Sequence, residues 1–537
     1  MKVTKYITVF AAAAAMLCTS CNDLEQTPVN RYTDTNFWTP QRSEYMLNMA
    51  YSQMYDAGKM FRDEALSDNM SETNGGDLQN IRSGTANSGM GRFSDEWKEI
   101  YEGIKTCHMF LANVEPLDIQ DSKKARMIGE IRFIRAYLFF RLTNFYGDVP
   151  FFTEEITVDE ANTISRTPKA EVIAFIHKEM SEIIPHLPAR NELTAADNGR
   201  ITKAAAAMLD ARAYLYDGQW SNVESICNTI MNGTYGTYSL FPSYFGLFET
   251  ENEYNSEVIL DRGYLEKIVF WEEGQQDMIP ASIGGRTPNR LPVQSLVDNY
   301  LMLSGYTINE DGSDFDPEHP YANRDPRLTA TIIYDGYKWN AQEYYDGFFN
   351  VETIAFDKGY VQQSGETFNG TYDAISGSNS VRTGYGLRKW YSPQAVLDWK
   401  SGLNIIMMRY ADVLLMYAEA MQEQGKMNEE VWNKTIRPIR ERAGFTADKA
   451  LEYRPTGVDM RQVIRNERRA ELAAEGLRYY DILRWKAGVE YLNGDIHGAD
   501  YTGYSYRYQF NESRDYLWPV PQGQVDLNPN LGQNPGY

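Results

Sequence analysis

The sequence predicts a mostly α-helical protein of paired, repeated helices, with one loop-rich part that carries only short strands. Three observations lead there. Apolar residues recur at helical spacing near both ends, as at Met46, Ala50 and Met54. Two Ala-rich helical stretches, starting at Ala204 and Ala411, share one register. Between them, over 234–404, the pattern gives way to Gly, Asn, Ser and Tyr, with strand-like runs such as SEVILDRGY, KIVFW and TATIIYDGY.

The first residues read as a leader. Lys2 and Lys5 precede an apolar block at 7–17. That block is too short for a bilayer core, which takes about 20 apolar residues, but it suits the h-region of a signal peptide. Small Thr19 and Ser20 then precede Cys21. Cys18 and Cys21 also form a CxxC. A redox CxxC should open a helix in a βαβ unit, and a zinc site needs a second ligand pair; neither follows. The arrangement resembles a bacterial lipobox, with Cys18 where such boxes usually carry Leu. It implies cleavage before Cys21 and lipidation of that thiol, each buried methylene contributing roughly 0.8 kcal/mol to anchoring. Residues 1–20 are expected to be a lipoprotein signal peptide and 21–40 a tether. Asp23 and Glu25 resemble the surface-export signal of Bacteroidota lipoproteins.

A formal charge of −22 argues against nucleic acid as a partner, since phosphates need clustered Lys and Arg. It suits an exposed soluble body. Cys107 and Cys227 fall in helical stretches and read as buried free thiols, not a disulfide framework. No segment after the leader is apolar and long enough to span a membrane.

The elements follow in order. A helix is expected from Gln41 to Tyr55. Asp95 reads as the N-cap of the next, DEWKEIYEGIKTCHMFLANV. A third begins near Ile128 and stops at Gly147, a C-cap residue, with DVPFF extended beyond it. PKAEVIAFIHKEMSEIIPHL, GRITKAAAAMLDARAYLYDGQW and WSNVESICNTIMNG continue the helical part. In the repeat, Ala204 matches Ala411, Ala211 matches Ala418 and Gly218 matches Gly425. Small residues let helices approach, and Gly makes the turn. That is a helix-turn-helix unit of about 34 residues, the tetratricopeptide class, stacked as an α-α superhelix. The competing reading is two unrelated Ala-rich helices. The expected parts are a helical 41–233, an irregular 234–404, a helical 405–493 and an irregular tail over 494–537.

Several motifs occur in sequence: WKEIYEGIKTCHMFLAN, GEIRFIRAYLFFRLTNFYGDVPF, GRITKAAAAMLDARAYLY, LPVQSLVDNY, NRDPRLTATI, MRYADVLLMYAEA, IRNERRAELAAEGLRYYDILRWK and LWPVPQGQVDLNPNLGQNPGY. The ordered set resembles the SusD/RagB family of Bacteroidota outer-membrane lipoproteins over nearly the whole chain after the leader. The resemblance implies tetratricopeptide-like pairs and a loop-rich ligand-binding part. It also implies a SusC-like TonB-dependent β-barrel transporter as partner. The expected function is capture of oligosaccharides at the cell surface and their delivery to that transporter. The alternative is an assembly or lid subunit whose cargo is peptide or otherwise not a glycan.

The chemistry-bearing motifs point to binding, not catalysis. Glu467 and Glu471 are neighbours on one helix, at a separation that would suit a retaining glycosidase pair. Several arginines beside them would keep both ionised, whereas a general acid must hold a proton. Structural ion pairing is the expectation. His108, His177, His186, His319 and His497 show no metal or triad spacing, and no HExxH or GxSxG occurs. Asp311, Asp314, Asp316 and Glu318 lack EF-hand spacing and read as a solvated loop. No cofactor, metal or catalytic residue is expected. A sugar ring is met by a flat aromatic face and by polar side chains that reach its hydroxyls. Loop positions that supply both are Asp68, Asn80 and Arg82; Arg262, Tyr264 and Trp271; and Tyr337, Trp339 and Tyr344. The expectation is that some of these aromatics share one exposed platform; packing within loops is the competing reading for each alone.

Overall fold

The computed structural model describes residues 37–537, apart from 273–276, 281–284, 336, 338–350, 354–359, 363–366, 369–374, 378–379, 393–394 and 396–398. The expected leader, Cys21, Trp339 and Tyr344 lie outside the described residues.

Helix α1 (Pro40–Met54) is capped by Thr39, whose Oγ1 accepts from Arg42 N, and it buries Met46, Leu47, Ala50 and Met54. Helix α2 (Ala57–Ala65) is capped by Asp56. Strand β1 (Met70–Glu72) and helix α3 (Asp77–Arg82) lead into the two long helices, α4 (Gly91–Asn113) and α5 (Asp121–Tyr146). Helix α4 begins upstream of its expected cap, so Asp95 lies inside it. Instead Asp77 Oδ2, on α3, accepts from Arg92 N at 2.8 Å. A free helical donor satisfied from another helix leaves no local signature.

Helix α5 is almost wholly buried beyond Met127, its Glu130, Arg135 and Arg141 included, the property of a central helix. It packs against α1, α4 and α6 (Lys169–Ile183). It ends at Gly147, whose φ of +73° suits glycine, and Val149 beyond it bridges Thr167 in extended chain. Helices α7 (Lys203–Tyr216) and α8 (Trp220–Met231) form the next hairpin.

The middle of the chain forms small antiparallel pieces. Strand β2 (Val258–Arg262) pairs with β9 (Ile405–Arg409), and β1 with β3 (Arg290–Pro292). Short helices α9 (Gln294–Asn299) and α10 (Pro326–Thr331) follow β3. Strand β4 (Ile332–Ile333) pairs with β8 (Gly386–Leu387), while β5 (Val351–Thr353), β6 (Tyr360–Gln362) and β7 (Thr367–Phe368) make one three-stranded sheet. Sheets this small need other elements to support them. The expected strand TATIIYDGY is only partly one. Its first residues close α10, because Pro326 starts a helix and Asp325 caps it by accepting from Arg327 N. KIVFW contributes only isolated bridges, Val269 to Leu265 and Trp271 to Ser401.

Helix α11 (Tyr410–Glu423) repeats α7. The matched alanines 204, 211, 411 and 418 are fully buried, and Gly218 and Gly425 turn the chain at φ of +68° and +67°. Helix α8 lies between α7 and α11. The fold is mostly α, of tetratricopeptide-like helix pairs. Helices α12 (Glu429–Lys434), α13 (Ile436–Ala443), α14 (Met460–Glu471) and α15 (Arg478–Arg484) follow. The region beyond 494 is more regular than expected: it holds a hairpin, β10 (Gly494–His497) with β11 (Ser505–Tyr508), and helix α16 (Gln522–Leu527). Trp518 stacks on Phe145, 3.9 Å between ring centres, and Asn534 Nδ2 donates to the carbonyls of Tyr146 and Trp518. These contacts fix the C-terminal segment on the end of α5.

The charged run on α14 and α15 is interior. Glu471 meets Arg327 at 2.9 Å, Arg409 at 2.6 Å and Arg442. Glu467 meets Arg327 and Arg440, and Glu475 meets Arg409 and Lys389, each at 2.7–2.8 Å. Arg468 joins Asp412 to Asp481. Burial alone would raise the Glu467 and Glu471 carboxyls, but the surrounding guanidiniums outweigh it and hold both below the usual range. Both stay ionised, so this pair braces the fold and offers no general acid.

Candidate binding face

The loop after β1 and the loop before β3 close over one another. On the ladder Glu72 stands opposite Arg290. Beyond it Thr73 N donates to Asn289 O at 2.8 Å, and Asn74 N to Asn289 Oδ1 at 2.7 Å. Gly75 and Gly76 turn the chain at positive φ. At position 76 φ is +139°, a backbone conformation that side-chain-bearing residues rarely adopt, so glycine is required there.

This turn roofs a row of charges. Arg290 stands 3.9 Å from Glu72 and 3.2 Å from Asp277. Burial raises the Glu72 carboxyl above its usual range, with Arg290 opposing. Glu72 Oε2 and Arg290 Nε have no hydrogen-bond partner among the described residues. Buried polar groups are normally satisfied, so these two fit a site completed by water or ligand. Four residues before Arg290 in the same loop, the exposed Arg286 lies over the half-buried ring of Trp399, 5.1 Å from its centre. Trp399 is held at a φ of +59°, which is unusual for a side-chain-bearing residue, and such strain clusters at functional sites. Arg382 Nη1 donates to Thr73 O at 3.1 Å, tying a third segment to the same turn. These segments thus offer one aromatic surface, three guanidiniums and two carboxylates, the groups that meet a hydroxyl-rich ring.

The structure brings one residue expected from the sequence to this face. Asn80 is exposed on α3, close behind the turn. Asp68 is not a ligand group: it is buried, with Arg478 at 2.8 Å and Arg469 at 3.0 Å. Burial opposes ionisation, but those guanidiniums hold its carboxyl at about 2. Arg82 is buried too, lying 3.8 Å over the Tyr508 ring and donating to Ser67 O. Tyr264 uses its hydroxyl to accept from Ala57 N at the start of α2, and Arg262 lies over the Tyr264 ring. Trp271 is 4 % exposed: its Nε1 donates to Leu403 O and its ring packs on Phe61. Tyr337 is buried and donates to Thr329 O. Arg82 ends α3 and Arg262 ends β2; Asp68, Arg82, Trp271 and Tyr337 are buried and Arg262 and Tyr264 half-buried, so they do not form one exposed platform. Trp339 and Tyr344 lie outside the described residues. Sequence reasoning missed Glu72, Asp277, Arg286, Arg290 and Trp399. The lone usable signal was the NGG turn after Glu72, which demands a close backbone approach.

The SusD family profile matches residues 217–537, and a second, described as starch-binding associating with outer membrane, matches 20–215. SusD-like protein P25 of Formosa agariphila is 26 % identical over 83 % of this chain and 80 % of its own length. The starch-binding protein SusD of Bacteroides thetaiotaomicron is 23 % identical over 82 % and 78 %. The crystal structure of a SusD-like carbohydrate-binding protein from Bacteroides fragilis superposes with a TM-score of 0.79, at 26 % identity over 91 % of this chain and 98 % of that one. A laminarin-binding SusD-like protein gives 0.67, at 22 % identity over 93 % and 100 %. The chain belongs to the SusD family, a group of outer-membrane-associated glycan binders. No helix among the described residues is long and apolar enough to cross a membrane.

Proposed function

We propose that this chain is a cell-surface lipoprotein, anchored through Cys21, that captures oligosaccharides and passes them to a SusC-like TonB-dependent transporter without chemical change. The observation that carries the reading is the Arg286–Trp399 pair, whose arginine shares a loop with Arg290, together with Glu72 opposite Arg290. It combines a stacking surface with charged groups whose hydrogen-bonding capacity is only partly used. The lipobox-like leader and family membership support the surface location and the partner. The buried Glu467 and Glu471, held ionised, support a binder over a hydrolase.

Electrophoresis of the chain through gels containing a panel of polysaccharides tests the reading. Retardation by at least one, lost in Trp399→Ala and weakened in Arg286→Ala, is the expected result. Copurification with a barrel transporter, with no retardation by any glycan, would instead favour the assembly role.

A further inference from the structure

A second cleft lies away from this face, between α4, the strand-like strap that follows α5, and α16. Its volume is 430 Å³, inside the range of small-molecule sites, about 300–1,000 Å³. Three features say what it would hold. The first is a flat aromatic wall. The rings of Tyr101 and Phe152 lie nearly parallel, 12° apart with centres at 6.0 Å, and Tyr101 is fixed by donating its hydroxyl to Pro150 O at 2.7 Å. The second is a rim of balanced charge: Lys98 and Lys105 are matched by Glu102 and Glu155. Such a rim favours neither an anion nor a cation, yet it supplies donors and acceptors together. The third is His108, a lining residue that is 2 % exposed and packs on Phe152. Neither of its ring nitrogens has a hydrogen-bond partner among the described residues. Burial, helped by the nearby Arg135, pushes this imidazole down to about 4, so at neutral pH it carries one donor and one acceptor. Leaving both unmade in the interior is unfavourable, which a partner carrying a hydroxyl would relieve.

We infer that this cleft is a second saccharide site, taking a short neutral sugar against Tyr101 and Phe152, with ring hydroxyls paired to the Glu102, Lys105 and His108 side. It shares the ligand class of the proposed function but not its site, and none of the residues of the Trp399 face lines it.

Titration calorimetry of the full chain in detergent tests this, with maltose, cellobiose, laminaribiose and xylobiose as probes. At least one should bind saturably, with affinity falling about tenfold, or 1.4 kcal/mol, in Tyr101→Ala. It should be retained in Tyr101→Phe, which keeps the ring. Glu102→Ala, an exposed change that spares the core, should weaken the same sugar severalfold. Absence of binding by all four, or affinity indifferent to both Tyr101→Ala and Glu102→Ala, overturns the inference. The two sites fail separately. Polysaccharide retardation that needs Trp399, with disaccharides indifferent to Tyr101, removes the cleft and leaves the face. Disaccharide binding that needs Tyr101, with no polysaccharide retarded, does the reverse.

Discussion

Glu471 and Glu72 are both buried glutamates beside arginines, yet they do opposite things. Glu471 sits at the junction of α14 with β9 and α13, where three guanidiniums cover its oxygens. Glu72 sits at the edge of a two-stranded sheet, 3.9 Å from Arg290, with Oε2 unpartnered among the described residues. In the interior the charges saturate one another, and the cluster becomes scaffold. At the sheet edge the same residue types are left partly unsatisfied, and the cluster keeps capacity for something else. Saturation, not residue type, separates the two.

The comparison breaks most visibly at Glu471. Glu471→Ala removes the one carboxylate that Arg327, Arg409 and Arg442 share and leaves three buried guanidiniums with fewer partners, and should destabilise the fold by about 3–5 kcal/mol in denaturant unfolding. Glu72→Gln, by contrast, should move the same midpoint within about 1 kcal/mol. An equal loss in both would erase the distinction.

Two buried aspartates sharpen it through pH. Asp68 is held at about 2 by Arg469 and Arg478, below its unfolded value near 3.9. Its stabilisation, about 2 kcal/mol, is therefore complete above pH 4 and lost as pH falls through about 2. Asp68→Asn should be less stable than the parent at pH 7, with the gap closing on acidification. Asp261 is opposite. Burial first, and Glu253 next, push its carboxyl up to about 7, while Asn404 Nδ2 donates to Oδ2 at 3.0 Å. The folded chain favours the protonated form, so stability is complete below pH 4 and lost as pH rises through about 7. Asp261→Asn should match the parent near pH 4 and exceed it by about 4 kcal/mol at pH 8. Thermal unfolding across that range reads both signs at once.

The smallest change in stability should come from the face. Arg286→Ala removes an exposed guanidinium and should shift unfolding by no more than about 0.5 kcal/mol. Its glycan affinity should nevertheless fall about threefold to tenfold, the contribution of about one hydrogen bond from the guanidinium to a ring hydroxyl. A large loss of stability instead would class the Arg286–Trp399 pair as packing.

The helical ends were legible in the sequence because one physical rule governs them. Met46, Ala50 and Met54, or Ala204 and Ala211, recur on one face because that face is buried, and Gly218 and Gly425 stop their helices where the backbone must turn left-handed. Where a cap came from a distant residue, as Asp77 does for α4, the start was misplaced. The face was nearly illegible for the same reason. Glu72, Asp277, Arg290 and Trp399 come from separate segments that only the closed fold brings together, and each alone is an ordinary loop residue. Irregular sequence was also a poor guide to exposure. Asp68, Arg82, Tyr264 and Trp271 stand in or beside loops, yet those segments thread between helices and present their side chains inward.

The anchoring of Trp518 and Asn534 on α5 bears on how the polypeptide is made. Asn534 meets the carbonyl of Tyr146 across 388 residues of sequence. A ribosome delivers Phe145 and Tyr146 long before it delivers the groups that cover them. The central helix must therefore wait, its aromatic end bare, until synthesis reaches the far segment. Any product of translation that stops short of Trp518 lacks both covering groups and leaves that end of the helix exposed.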